Sequence, residues 1–189
     1  MDTEIILASS SPSRKMLFEN IGIPFRVAVS GADENVPETM QPYEKVEVIS
    51  RRKLEAVRGY YPNSVVIAAD SLISFGGSTL GKPESEKAAA EMLKKLSGNV
   101  HQVVTGVSIA YKQNTLTFSQ ATDVEFYKLS CREIEEYVNS GESMGRAGSY
   151  GIEGIGALLI KSIKGDYSNV VGIPLGETFR RVRDILAME

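Results

Sequence analysis

The chain has 189 residues, 42% of them hydrophobic and 24% charged, with a formal net charge of −3. Those proportions exclude disordered and fibrous classes and suit one globular domain able to bury a sizeable core. No apolar run approaches the roughly 20 residues of a membrane span, and the acidic balance argues against a nucleic-acid duplex as partner. The start lacks the basic region and apolar block of a signal peptide, so the expectation is a soluble cytoplasmic protein without a membrane partner. One Cys131 and one His101 allow neither an intrachain disulfide nor a zinc site of the usual His/Cys type. Any metal is then a hard ion on oxygen ligands.

The predicted elements begin with a strand, EIILA, that breaks into Ser9, Ser10, Ser11, Pro12, Ser13 and Arg14. Ser11 followed by Pro12 is a helix start, since serine caps free N–H groups and proline suits the first helical position. A helix end of that kind, with serine hydroxyls and Arg14 beside it, can receive a phosphate. An ordinary capped helix with a solvated arginine is the plainer alternative. A second strand, FRVAV, precedes Glu34 in GADEN.

The next helix runs from about Tyr43 to Arg58, with Val46, Ile49 and Val57 as its apolar stripe and Lys53 in the middle of that face. Such a lysine either sends its ammonium out to solvent or meets an anion. The most apolar strand, SVVIAADSLISF, carries Asp70 and Ser71 where ligands gather in α/β folds. Asp70 either caps the following turn or pairs with Glu34 to hold Mg²⁺ or Mn²⁺ with several waters.

The stretch from Gly76 to Lys82 carries the glycines and lysine of a phosphate-binding P-loop, but Pro83 stands where Ser or Thr must coordinate magnesium. That motif is rejected. Lys82 stays a candidate phosphate contact, with a hairpin turn bearing a surface lysine as the alternative. A helix follows from Ser85 to Leu96, then strands HQVVTGVSIAYK and TLTFSQATDVEFYKL, joined by a hairpin at Gln113-Asn114. The sheet is therefore expected to be mixed. Ser130 to Glu133 forms a capping box opening a helix that stops near Gly141. A strand ALLIKSI and an amphipathic helix with Leu175, Phe179, Val182 and Leu186 close the chain. No Ser-His-Asp arrangement is visible, and His101, in a strand-like run, reads as structural.

Taken together, LASSSPSRK, the glutamate of GADEN, SRRKLEAV, AADS, GKP, AAAEMLKKLSGNVHQVVTGV, RAGSYGIEGIGA and GDYSNVVGIPL resemble the Maf family of nucleoside triphosphate pyrophosphatases, once described as septum formation inhibitors. The resemblance spans nearly the whole chain. It implies a single domain over residues 1–189 with an elongated α/β fold, a mixed central sheet flanked by helices and a deep cleft between two lobes, similar to the inosine triphosphate pyrophosphatases. It also implies cleavage between the α and β phosphates of a nucleotide with a divalent cation, and a homodimer. On this footing Asp70 looks like the general base, Ser9, Arg14, Lys53 and Lys82 like phosphate contacts, and Glu34 with Asp70 like the metal-side carboxylates.

Substrate choice is less settled by the resemblance. Members favouring dTTP and UTP usually carry Arg where this chain has Ser13, Thr where it has Ser71, and Gln where it has Glu153. Members favouring 7-methyl-GTP tend to carry an aromatic at the first of these positions and Glu at the last. The chain matches neither set, which points to a broader or differently directed base pocket. A regulatory nucleotide-binding protein of cell division, without turnover, is the competing reading, and a single-stranded RNA binder is disfavoured by acidity and the lack of tryptophan.

Overall fold

A computed structural model describes residues 3–188. The elements, in chain order, are β1 (Ile5–Leu7), α1 (Pro12–Asn20), β2 (Arg26–Val27), α2 (Pro42–Arg58), β3 (Val65–Phe75), β4 (Ser78–Leu80), α3 (Glu86–Leu96), β5 (Val100–Tyr111), β6 (Asn114–Phe126), α4 (Cys131–Asn139), β7 (Ile160–Lys164), α5 (Tyr167–Val171) and α6 (Leu175–Leu186). Short 3-10 turns occupy Ala147–Ser149 and Ile155–Leu159. The strands are ordered β2-β1-β3-β5-β6-β7, with β4 paired to β3. Strand β1 runs parallel to both neighbours, whereas β4 and β7 run antiparallel to theirs. The sheet is mixed and helices flank it, as the sequence implies. No helix among the described residues is long and apolar enough to cross a membrane.

Two units divide the chain, one of Met1–Ser71, Thr105–Gln120 and Gly172–Glu189, the other of Leu72–Val104 and Ala121–Val171. Strands β3, β5 and β6 contribute residues to both, so no single cut in the sequence separates them.

In the first unit, Ile6 and Ala8 meet Val66 and Ala68 of β3, Leu54 and Val57 of α2, and Ala110 of β5 in one buried cluster. The run from Val65 to Ala69 is wholly buried, the continuous apolar pattern of a strand covered on both faces. Helix α2 lies unusually close to β5: a Cβ at Gly106 would stand 2.5 Å from the carbonyl carbon and oxygen of Val46. Hydroxyls complete that contact, Ser50 Oγ meeting Ser108 Oγ at 2.9 Å and Ser108 Oγ meeting Thr117 Oγ1 at 2.9 Å. Phe18 of α1 packs at tilted angles on Phe25 and on Phe179 of α6.

In the second unit, Ala89, Leu93 and Leu96 of α3 and Ile134, Tyr137 and Val138 of α4 pack with Val103, Val124 and Phe126. Ser85 caps α3 by accepting from the Ala88 N–H at 3.2 Å, and both halves of the Ser130–Glu133 capping box are formed. Buried His101 lies edge-on to Phe126, with Nε2 2.7 Å from the Tyr150 hydroxyl.

Several expectations shift in detail. FRVAV shrinks to Arg26–Val27, because an edge position leaves Val27 and Val29 exposed with no core to bury them. The hairpin turns on Lys112 and Gln113, one residue earlier than predicted, with Lys112 in the left-handed region at φ 51°. Strand β7 begins only at Ile160, since Ala157 to Leu159 lie in a 3-10 turn. Gly76 and Gly77 take φ 57° and 78° in a two-residue turn between paired Phe75 and Ser78, and α3 starts four residues after Lys82. Lys82 thus follows a hairpin and opens no helix, which agrees with rejecting the P-loop.

Candidate active site

The candidate site is built in the first unit, from the end of β1, the first turn of α1, the loop before α2, one face of α2 and the middle of β3. Past β1 the backbone still pairs with β3, the Ala8 N–H donating to Ile67 O at 2.7 Å. Ser11 then caps α1, its Oγ accepting from the Arg14 N–H at 3.4 Å, with Pro12 at the first helical position. The cap turns Arg14 inward, where it is only 8% exposed.

Three protein acceptors hold the guanidinium. Its Nε donates to the Gly172 carbonyl at 2.7 Å, one terminal nitrogen donates to Ser71 Oγ at 2.9 Å, and the other to Ser9 Oγ at 3.4 Å. Burial pulls the Arg14 pKa down from the usual guanidinium value, and the negative charges of Asp70 and Glu34 oppose that pull. The side chain stays protonated at neutral pH.

Lys53 sits in the middle of the buried face of α2 with Val46, Ile49, Leu54 and Val57. Its Nζ donates to Asp70 Oδ1 at 2.7 Å and lies 2.9 Å from Glu34 Oε1. The lysine therefore does not snorkel to solvent; it is paired, as a buried ammonium must be. Asp70 comes from β3, next to Ser71, while Glu34 comes from an irregular loop and is largely exposed. Arg52 fixes that loop, donating to the backbone carbonyls of Asp33 at 3.2 Å and Asn35 at 2.7 Å. Asp33 Oδ1 also accepts from the Asn35 N–H at 3.0 Å, closing a local turn around Glu34.

Ser9, Arg14, Glu34, Lys53, Asp70 and Ser71 are thus brought together within one unit. Ser13 lies half-buried one residue before Arg14 on α1. The two remaining candidates belong to the other unit. Lys82 is exposed after β4. Glu153 is mostly buried and pairs with Arg146 at 2.5 Å. The stretch that carries Glu153 is held by Glu142, which accepts from the N–H groups of Ile155 at 2.8 Å and Gly156 at 3.0 Å and from the Tyr137 hydroxyl at 3.1 Å.

Sequence reasoning missed Arg52, Thr105, Glu142, Arg146 and Gly172. Arg52 and Arg146 lie inside quoted motifs, but nothing in their local sequence marks the loop carbonyls or the glutamate that they meet. The GIPL turn and the TGV strand were visible as motifs, but nothing local marks Gly172 as an acceptor for Arg14 or Thr105 as a partner of Ser71, 34 residues away.

Comparison with known proteins agrees with the resemblance. The Maf-like protein family matches residues 4–185. A dTTP/UTP pyrophosphatase of Geobacillus sp. (strain WCH70) is 46% identical over 180 residues, covering 95% of this chain and 97% of the relative. A dTTP/UTP pyrophosphatase of Symbiobacterium thermophilum is 46% identical over 175 residues, covering 93% and 90%. Among solved structures, the Staphylococcus aureus Ham1 protein is 22% identical with a TM-score of 0.45, covering 67% of this chain and 73% of that chain. With a family match over nearly its whole length and relatives at this level of identity, the chain belongs to the Maf-like protein family.

Proposed function

We propose that this protein is a nucleoside triphosphate pyrophosphatase that hydrolyses pyrimidine nucleotides of the dTTP and UTP kind, releasing the nucleoside monophosphate and pyrophosphate. The relatives carrying that activity in their names support the reaction class and the pyrimidine preference. The observation that carries the proposal is the arrangement of Lys53, Asp70 and Glu34 around one ammonium nitrogen, in the same unit as a buried arginine.

In this reading a water oxygen bonds to the α phosphorus while the bond from that phosphorus to the bridging oxygen breaks. Pyrophosphate leaves with the electron pair. Asp70 orients the water and takes its proton. Arg14 and Lys53 are fixed cations that take up charge developing on the phosphoryl oxygens, and they need no reorganisation as the reaction proceeds. Ser9, beside Arg14, completes the phosphate contacts within this unit.

The donor set suits a divalent ion bridged by substrate. Two carboxylates converge on one cationic nitrogen, and magnesium is commonly held by one or two carboxylates together with substrate phosphates. Among the described residues no group of three or more His, Cys, Asp or Glu forms a resident metal cage. Asp70 and Glu34 would hold Mg²⁺ or Mn²⁺, which would neutralise phosphate charge and acidify a bound water.

Ser13, Ser71 and Glu153 depart from the usual dTTP/UTP set, and we take the base preference to be wider than for members that keep it. Product analysis tests the reaction class. Wild-type protein with UTP and Mg²⁺ should yield UMP and pyrophosphate, and Asp70→Asn should lose turnover by about a thousandfold while still binding UTP. Stepwise release of inorganic phosphate contradicts the proposal, and binding without any turnover in the wild type supports a regulatory sensor instead.

A further inference from the structure

We infer that Thr105 and Gly172 are positioning residues for Arg14, fixing its guanidinium so that two N–H donors stay free for a phosphoryl group; this rests on the proposed reading of Arg14 as a polyphosphate contact. Arginine has five N–H donors and no acceptor. Three are spent on Gly172 O, Ser71 Oγ and Ser9 Oγ, one from each nitrogen. One donor on each terminal nitrogen is left without a protein partner among the described residues, although the side chain is buried. A parallel pair of donors on a planar fork matches two oxygens of one phosphoryl group.

The fork is aimed by its supports. Because arginine can only donate, Ser71 Oγ must accept from it, and the single Ser71 proton goes elsewhere. Thr105 Oγ1 lies 2.8 Å away, a contact in which either hydroxyl can donate, and the Gly172 carbonyl, 3.3 Å away, can accept from Ser71; between them these two groups set the rotation of the serine hydroxyl. Thr105 is fully buried on β5, which makes it a fixed reference.

Gly172 contributes in a second way. Its φ of 146° is a conformation that side-chain-bearing residues rarely adopt, and a Cβ there would stand 3.3 Å from Arg14 Cγ and 3.4 Å from Nε. A bare backbone lets its carbonyl meet Nε at 2.7 Å. The plane of the guanidinium is thus set by one backbone acceptor and one hydroxyl relay.

The test uses Thr105→Val, which keeps shape but loses the hydroxyl, and Thr105→Ser, which keeps it; Thr105→Ala replaces the valine variant should that fail to fold. The readouts are kcat/KM for UTP and the Kd of inorganic tripolyphosphate measured calorimetrically without metal. Thr105→Val should lower kcat/KM about tenfold and weaken tripolyphosphate by a similar factor, while Thr105→Ser restores both. In an Arg14→Gln background Thr105→Val should add nothing further, because its effect passes through the arginine. Equal losses in both backgrounds, or no loss in either, overturn the inference. If Arg14→Gln itself leaves turnover and tripolyphosphate binding intact, the underlying reading of Arg14 fails instead, and the inference with it.

Discussion

Lys53 of α2 reaches across to β3 and places its Nζ 2.7 Å from Asp70 Oδ1, while the same nitrogen lies 2.9 Å from Glu34 Oε1. One ammonium therefore bridges two carboxylates that would otherwise repel, and offsets half of their combined charge. Replacing it should disturb chemistry and also cost stability, since Glu34 is largely open to water but the mostly buried Asp70 loses its partner. Lys53→Met is expected to lower kcat/KM for UTP by about a hundredfold, with far-ultraviolet circular dichroism unchanged. Turnover within threefold of wild type would remove Lys53 from the site.

Glu153 offers only acceptors when ionised, and one of its oxygens is held by Arg146. Glu153→Gln restores the residue usual in dTTP/UTP members and adds a donor. The expected outcome is a rise of about tenfold in the ratio of kcat/KM for UTP over GTP, given the cost of mispairing a polar group in a pocket. A panel of canonical and modified triphosphates measures it. An unchanged panel would place Glu153 outside the base contacts.

His101 supplies a pH test of the second unit's core. Burial pulls its pKa from 6.5 to about 4, and its Nδ1 has no partner among the described residues. A base whose folded pKa is depressed binds its proton more readily when unfolded. Stability is therefore full above pH 6.5 and falls as pH drops from 6.5 towards 4. Between pH 7.5 and pH 5 this residue should cost about 2 kcal/mol. Urea midpoints at those two pH values should converge in His101→Gln relative to wild type; an equal drop in both proteins would assign the pH dependence to other groups.

Gly106→Ala probes how α2 is seated. The added methyl would meet the Val46 backbone, which has no flexible end to give way. A loss of about 1–3 kcal/mol in unfolding free energy is expected, together with reduced turnover, because the same helix carries Lys53. A variant of wild-type stability would mean that the helix can lift off β5 freely.

The parts of this architecture with local causes were readable in the chain. Ser11-Pro12 announces α1, Ser130 and Glu133 announce α4, and the apolar run before Asp70 announces a doubly covered strand. Lys53 stood out because a cation on an apolar stripe needs a partner. The contacts that aim Arg14 were not readable, since Ser71, Thr105 and Gly172 meet only through tertiary packing, with 57 residues between partners at the bond Arg14 donates to Ser71 and 101 at the bond Ser71 donates to Gly172. Strand β2 was overestimated for the complementary reason: β-branched residues favour a strand, but an edge with no covering layer gives them little to bury.

Delivery of water to the α phosphorus beside Asp70, as proposed, is an event that isotope tracing reads directly. Hydrolysis of UTP in ¹⁸O-enriched water, followed by mass spectrometry, should place the label in UMP and leave pyrophosphate unlabelled. Label in pyrophosphate, or in inorganic phosphate with UDP as co-product, would contradict the account.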